Sequence, residues 1–311
     1  MDALVQLWER PEADEVYMIA GWEQWADAGS ISSGLPGYLI EQSHARQIGE
    51  IDSNGFYLFQ LPGAHHFLRP QITLKEGYRR ALTAPKNGLY YVGDERKGVV
   101  IFAGEEPHLN ADRYTEALLS AAETLGVRRG VALGGVYGAM PYDQDREISC
   151  VYSLQWMKDE LARYAVKFSN YEGGTTIGTY VVSQAEHHGL EFLSLYAFVP
   201  SYDLSQLASV VQVLRIENDF RAWYEVMRRV NDLFGTTFDL AELKQQSEDL
   251  TLSMHRQVEE LESKLPELGL RAYLEGLAEE FTPRPYVPPL SDLWGRALGN
   301  LLKDADEDPS A

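Results

Sequence analysis

Three glycine-rich stretches each follow an apolar run: GWEQWADAG (Gly21 to Gly29), LGGVYGAMP (Leu133 to Pro141) and EGGTTIG (Glu172 to Gly178). In an open parallel sheet, ligands gather beyond the carboxyl ends of the strands, so loops in that position are where chemistry is to be sought. Glycine permits close backbone approach and positive φ. The N–H groups of Gly134, Gly135 and Gly138, and of Gly173 and Gly174 at a helix start, could cradle an anion. The other reading of all three is tight turns required by packing, because neither GxGxxG nor Walker A spacing is present. Asp27 admits two roles as well, a general base or ligand-orienting carboxylate, or the N-terminal cap of a helix beginning near Gly29 and running towards Ile40. Trp22 and Trp25 could stack on a planar ligand or partner, or bury apolar area against neighbouring loops. Glu105-Glu106-Pro107-His108 follows another apolar run and could bring an acid pair and an imidazole to the same rim; solvated loop acids are the plainer reading.

Other reactive residue types offer less. His65-His66 and His187-His188 are sequence neighbours, which diverge by about 100 degrees on a helix, and no HExxH-type spacing supports a metal. No metal or cofactor is expected. Ser30, Ser32 and Ser33 lack the GxSxG spacing of a nucleophile elbow. Cys150 is the sole cysteine, so no intramolecular disulfide forms, and it reads as a buried structural thiol suited to a reducing compartment.

The elements that must position these loops follow from hydrophobic periodicity. Short β-rich runs recur at Glu15 to Ala20, Gly88 to Val92, Val99 to Ala103, Gly130 to Leu133, Val166 to Ser169 and Leu190 to Val199. Helical patterns lie between several of them. In Asn110 to Leu125, Tyr114, Leu118, Ala121 and Leu125 share a face and Gly126 supplies the stop; Thr175 to His188 ends at Gly189. Strands alternating with helices predict an α/β domain with a mainly parallel sheet over residues 1–205. Residues 206–281 carry helical periodicity with many charges and read as a helical C-terminal appendage. Residues 282–311 read as a Pro-rich connector, an apolar stripe around Trp294 and an acidic tail.

The 311 residues, 45% hydrophobic, suffice for a sizeable core. Lys and Arg number 27 against 47 Asp and Glu, and the net charge of -20 repels phosphate backbones and anionic lipid, so neither nucleic acid nor membrane is expected as a partner. No basic-then-apolar leader precedes Val16 and no run approaches 18 apolar residues, which predicts a cytoplasmic protein.

Taken together, AGWEQWADAGS, IDSNGFYLFQ with a following RP, GEEPH, LGGVYGAMP, EGGTTIG and FVPSY resemble, in order and spacing, the proteasome assembly chaperone family of bacteria and archaea. The resemblance covers about residues 5 to 205, and FGTTFDLAELKQQSEDL is similar to the helical C-terminal region of actinobacterial-type members. It implies a three-layer α/β fold similar to purine nucleoside phosphorylase, assembly with itself, and engagement of another protein assembly; in eukaryotic relatives the role is chaperoning proteasome ring assembly. The chain departs from the family's pattern in places. Members usually read GWNDAG, and this loop is two residues longer; Pro141-Tyr142-Asp143 stands where many have Pro-His-Thr-Arg, and Ser201 where others have a histidine. The sequence ends Asp308-Pro309-Ser310-Ala311, without the hydrophobic-tyrosine tail by which archaeal members dock. The reading is a non-catalytic assembly or interaction module. Its alternative is a nucleoside- or phosphate-ligand hydrolase or transferase built around Asp27, Glu105, Gly134, Gly135 and Gly174.

Overall fold

The computed structural model describes residues 3–23, 25–59, 69–202, 214–266 and 269–287. In chain order they form β1 (Val5–Leu7), β2 (Glu15–Glu23), α1 (Gly34–Gln42), β3 (Arg46–Ile51), β4 (Gln71–Lys75), β5 (Tyr78–Thr83), β6 (Gly88–Gly93) and β7 (Lys97–Glu105). There follow α2 (Ala111–Thr124), β8 (Val127–Gly138), β9 (Ile148–Tyr152), α3 (Met157–Leu161), β10 (Lys167–Phe168), α4 (Ile177–His187) and β11 (Glu191–Tyr202). The chain then gives β12 (Leu214–Arg215), α5 (Phe220–Phe234), α6 (Ala241–Lys264) and α7 (Leu270–Glu280).

The main sheet runs in the order β1-β3-β6-β7-β2-β8-β11-β9-β10, with β12 on β11. Its centre, β7-β2-β8-β11, is parallel; β1–β3, β3–β6, β6–β7 and β11–β9 pair antiparallel, and the outermost β9–β10 pair is parallel again. The expectation of a mainly parallel sheet holds, with antiparallel pairs flanking the parallel centre. Only Asp94, Glu95 and Arg96 separate β6 from β7, too few for the crossover that parallel pairing requires.

Alternation along the central strands sends side chains to opposite faces, and each face has its own core. Tyr17, Ile19, Val99, Ile101, Val131 and Leu193 pack with α1, α3, α5 and α6. Met18, Ala20, Trp22, Val100, Phe102 and Ala132 pack with α2 and α4 on the other side. The result is three layers, helices on either side of one sheet. Three of the helices stop at glycines in the left-handed region, Gly126 (φ 68°), Gly189 (φ 66°) and Gly235 (φ 59°), where a Cβ would strain the turn.

From Phe220 onward the regular elements among the described residues are the helices α5, α6 and α7, and α5 is wired into the sheet's core. Asp219 accepts from the amide of Ala222 at the start of α5 while holding the Arg146 guanidinium at 2.8 Å, both side chains being almost wholly buried. Residues 282–287 carry no regular structure, as their prolines predict, and Tyr286 is buried with the Arg229 guanidinium 4.6 Å from its ring centre. The stripe around Trp294, the acidic tail and His65-His66 lie outside the described residues.

Candidate functional site

The carboxyl ends of β7, β2, β8 and β11 form one rim, and the three glycine-rich stretches meet there only in part. The first begins as strand: β2 continues through Trp22 to Glu23, which sits beside Glu105 at the end of β7. Trp22 is buried, stacks at a tilt on Phe102 and donates its indole N–H to the Tyr114 hydroxyl at 3.0 Å. Its own amide donates to Ser32 Oγ at 2.8 Å. Trp25 does the reverse and stands 76% exposed. The expectation that both tryptophans bury apolar area is corrected for Trp25, because the loop turns it outward once β2 has ended.

Asp27 is a carboxylate that ties down the turn leading into α1. One oxygen accepts the amides of Ser32 (2.8 Å) and Ser33 (2.9 Å) and the other accepts the Ser33 hydroxyl at 2.5 Å. Burial nevertheless holds its pKa above the usual carboxylate range, with the Ser33 and Ser32 hydrogen bonds pulling against it. The chain after Asp27 forms a single 3-10 turn at Ala28–Ser30 that the Asp27 side chain does not cap, which corrects the expected capping role, and α1 starts only at Gly34, later than the sequence predicts. Gly29 explains the break: its φ is 65°, and its carbonyl accepts the indole N–H of Trp223 at 2.9 Å and the amide of Asp219 at 3.0 Å. Helix α5 thereby reaches across the sheet and fixes this loop.

The second stretch is not a loop where it was expected. Gly134, Gly135 and Gly138 belong to β8, laddered to β11 as far as Gly138 opposite Pro200. Gly134 is opposite Tyr196, and a Cβ on it would lie 2.3 Å from that ring; on Gly135 it would lie 2.0 Å from the carbonyl oxygen of Ala28; Gly138 lies beside Phe198. The Gly135 amide donates to the Ala26 carbonyl at 2.8 Å. These glycines make room for aromatic rings and for the first loop, and the ladder consumes amides that an anion cradle would need. Gly173 and Gly174 lie exposed on the third loop, away from this convergence.

At the start of α4, a ready anion site by geometry, the chain supplies its own anion. Glu106 accepts the amide of Ile177 at 3.2 Å through one oxygen and that of Trp25 at 3.2 Å through the other. Burial raises its pKa and these two amides oppose the rise. Thr176 caps the helix by accepting from Thr179 at 3.1 Å, and the Tyr196 hydroxyl bonds both Thr176 and, at 2.7 Å, Thr179. The space left between Trp22, Ser32, Glu106, Thr176 and Tyr196 is about 10 Å³, room for a single water at most.

Glu105 is half-buried at the same rim; burial first, and then Glu23 beside it, raises its pKa. His108 does not complete an acid–imidazole group: its Nδ1 accepts the Leu58 amide at 3.1 Å and its ring abuts Tyr57. Burial pushes the Cys150 thiol up to about 12, as suits a structural cysteine. Among the described residues no group of three His, Cys, Asp or Glu is gathered that could hold a metal, and no helix is long and apolar enough to cross a membrane.

Sequence reading missed Thr176 and Tyr196 and named Glu106 only as one of an acid pair. Thr directly before an apolar helical run is an N-cap signal that could have found Thr176. Nothing local marks Tyr196, whose partners come from another element.

The model of the PAC2 family matches residues 21–258. Among solved structures, the chain is similar to a PAC2 family protein from Streptomyces avermitilis (TM-score 0.66, 24% identity, 80% of this chain and 99% of that one). It is similar also to a proteasome-assembly chaperone homologue from Mycobacterium tuberculosis (TM-score 0.65, 24% identity, 78% and 94%). A third is an archaeal proteasome activator from Pyrococcus furiosus (TM-score 0.57, 18% identity, 82% and 98%). At these identities the structures speak to the fold. No curated protein matches in sequence. With more than two thirds of its length matched by the family and its mixed three-layer sheet shared with these structures, the chain belongs to the PAC2 family.

Proposed function

We propose that the protein is a non-catalytic, assembly-chaperone-like interaction module that works in the cytoplasm, associates with itself and engages a second protein assembly. The observation that carries this reading is the Glu106 carboxylate seated on the N-terminus of α4. Where an enzyme acting on phosphate esters would keep that anion site open, this chain fills it and leaves about 10 Å³. The hydroxyls and carboxylates nearest it are spent on internal hydrogen bonds: Asp27 on the turn at Ser32 and Ser33, Thr176 on Thr179 at the start of α4. On this reading the sheet, similar to that of purine nucleoside phosphorylase by resemblance, serves as a platform. Trp22, Asp27, Gly134, Gly135 and Gly138 shape the rim, and Trp25, Glu105 and the Gly173-Gly174 loop face outward from the body as contact candidates. The helices from Phe220 act as an appendage docked on residues 1–205. Family membership and the proteasome-related neighbours support protein partners, proteasome components being the first to try.

The test pairs two measurements. Native mass analysis of what the tagged protein retains from its own lysate should show a multi-subunit protein assembly without a stoichiometric small molecule. A turnover screen with nucleosides plus phosphate, phosphoryl esters and acyl esters should be blank. Turnover that disappears in Asp27→Asn with the fold intact would overturn the reading.

A further inference from the structure

The β4–β5 ribbon stands apart from both cores. Every residue from Gln71 to Thr83 is exposed, on both faces. Its geometry is nonetheless well specified: Lys75 pairs with Tyr78 across Glu76 (φ 51°) and Gly77 (φ 78°), a two-residue turn whose positive φ values match the twist of a hairpin. Ile72 lies opposite Leu82, and these two with Leu74 and Tyr78 are 50 to 75% exposed. A lone two-stranded ribbon is marginal in water, and an apolar one calls for a cover.

Its charge says what kind of cover. Residues 69–86 hold five of the chain's 27 Lys and Arg (Arg69, Lys75, Arg79, Arg80, Lys86) and one of its 47 Asp and Glu. A basic, apolar arm therefore projects from a protein of net charge -20. The C-terminal root of the arm lies at the carboxyl rim, since Ser53 Oγ donates to the Pro85 carbonyl at 2.8 Å and Gly88 is opposite Ala103 in β7. That rim is acidic and apolar. Glu23 and Glu105 are adjacent in the β2–β7 ladder with no ion pair among the described residues, and the burial-raised pKa of Glu105, raised further by Glu23, reflects an uncompensated pair. Trp25 is exposed next to them, its amide held by Glu106. The chain's own arm leaves its own rim open, for Trp25 is 76% exposed with the arm in place.

We propose that the β4–β5 arm docks on the carboxyl rim of a second copy of this chain, Arg80 meeting Glu23 and Glu105, and Ile72, Tyr78 and Leu82, on the same face of the ribbon, covering Trp25. The inference rests on the self-association in the reading above and names its surface. One surface of each copy fits a different surface of the next, so the contact closes as a reciprocal dimer or a ring. Opposite charge sets the register.

Light scattering on the full chain tests it, with thermal melts confirming that each variant is folded. The wild type should have a mass that is an integral multiple of the monomer, shifting to smaller species as salt rises. Arg80→Glu, and separately Glu23→Arg, should each weaken association on the order of tenfold or more. Mixing the two variants should restore it, because the reversed arm then meets a reversed rim. A monomeric wild type overturns the proposal and assigns the arm to a different protein, leaving the partner-binding reading in place. A wild-type oligomer that neither variant disturbs also overturns it, since self-association would then use another face.

Discussion

The carboxylate of Glu106 accepts the amide of Ile177, 71 residues further along the chain, at 3.2 Å. One loop of the rim is thereby closed onto the helix of another, and the partial positive charge of the N-terminus of α4 is satisfied from within. Replacing Glu106 by Ala strands this amide and that of Trp25, at a cost of about 1 to 3 kcal/mol. Urea unfolding should show that loss. Because the vacated position is an anion site, inorganic phosphate should raise the melting temperature of Glu106→Ala above that in chloride of equal ionic strength and leave the wild type unmoved. Phosphate-specific stabilisation of the wild type would mean that the site is open after all.

Trp22 and Asp27 offer a contrast of scale. Trp22→Ala removes a buried ring and its bond to Tyr114, and should cost about 3 to 5 kcal/mol. Asp27→Asn keeps an acceptor oxygen for the loop amides and should cost about 0.5 to 2 kcal/mol. Denaturant midpoints rank the two directly, and the opposite order would show that the Asp27 hydrogen bonds, not packing, set the loop.

Two candidate glycines should part ways. In Gly135→Ala the new methyl meets the Ala28 carbonyl oxygen at 2.0 Å, a backbone atom that cannot swing aside, whereas in Gly174→Ala it meets open space. Overpacking of this kind costs about 1 to 3 kcal/mol. Thermal melts should find Gly135→Ala clearly destabilised and Gly174→Ala within experimental scatter of the wild type.

His188 joins α4 to α2 by bonding Glu123 at 3.0 Å and Glu116 at 3.1 Å, and the Glu123 hydrogen bond leads the effects that raise its pKa above 6.5. A folded-state pKa above the unfolded one means that the folded chain holds the proton more tightly. The stabilisation is complete below about pH 6.5 and is lost as pH rises through the higher folded value. Stability measured from about pH 5.5 to 8 should decline with this component, and His188→Gln should remove it. An unchanged pH slope in the variant would show that the two carboxylates do not hold the imidazolium.

What the sequence by itself determined is local. Short continuous apolar, β-rich runs marked β2, β6, β7, β8 and β11, and Gly126 and Gly189 marked where α2 and α4 stop, because a strand buried on both faces and a helix's left-handed end are both written in neighbouring residues. The ordered glycine-rich segments carried the family. The signal for the arm was present as well, an alternating run closed by Glu76-Gly77, but its short aliphatic stretch is interleaved with charges and does not read as a core strand. Tertiary structure alone decided the rest. Gly134 and Gly135 read as loop glycines because flexibility and crowding call for the same residue, and only the ring of Tyr196 and the carbonyl of Ala28 against them tell the two apart. Trp22 and Trp25, three residues apart in one motif, face the core and the solvent because β2 ends between them. Glu105 and Glu106 are equivalent as letters, yet only Glu106 faces the amide of Ile177, a pairing made when α4 packs beside β8 and β11 and closes a long loop of chain.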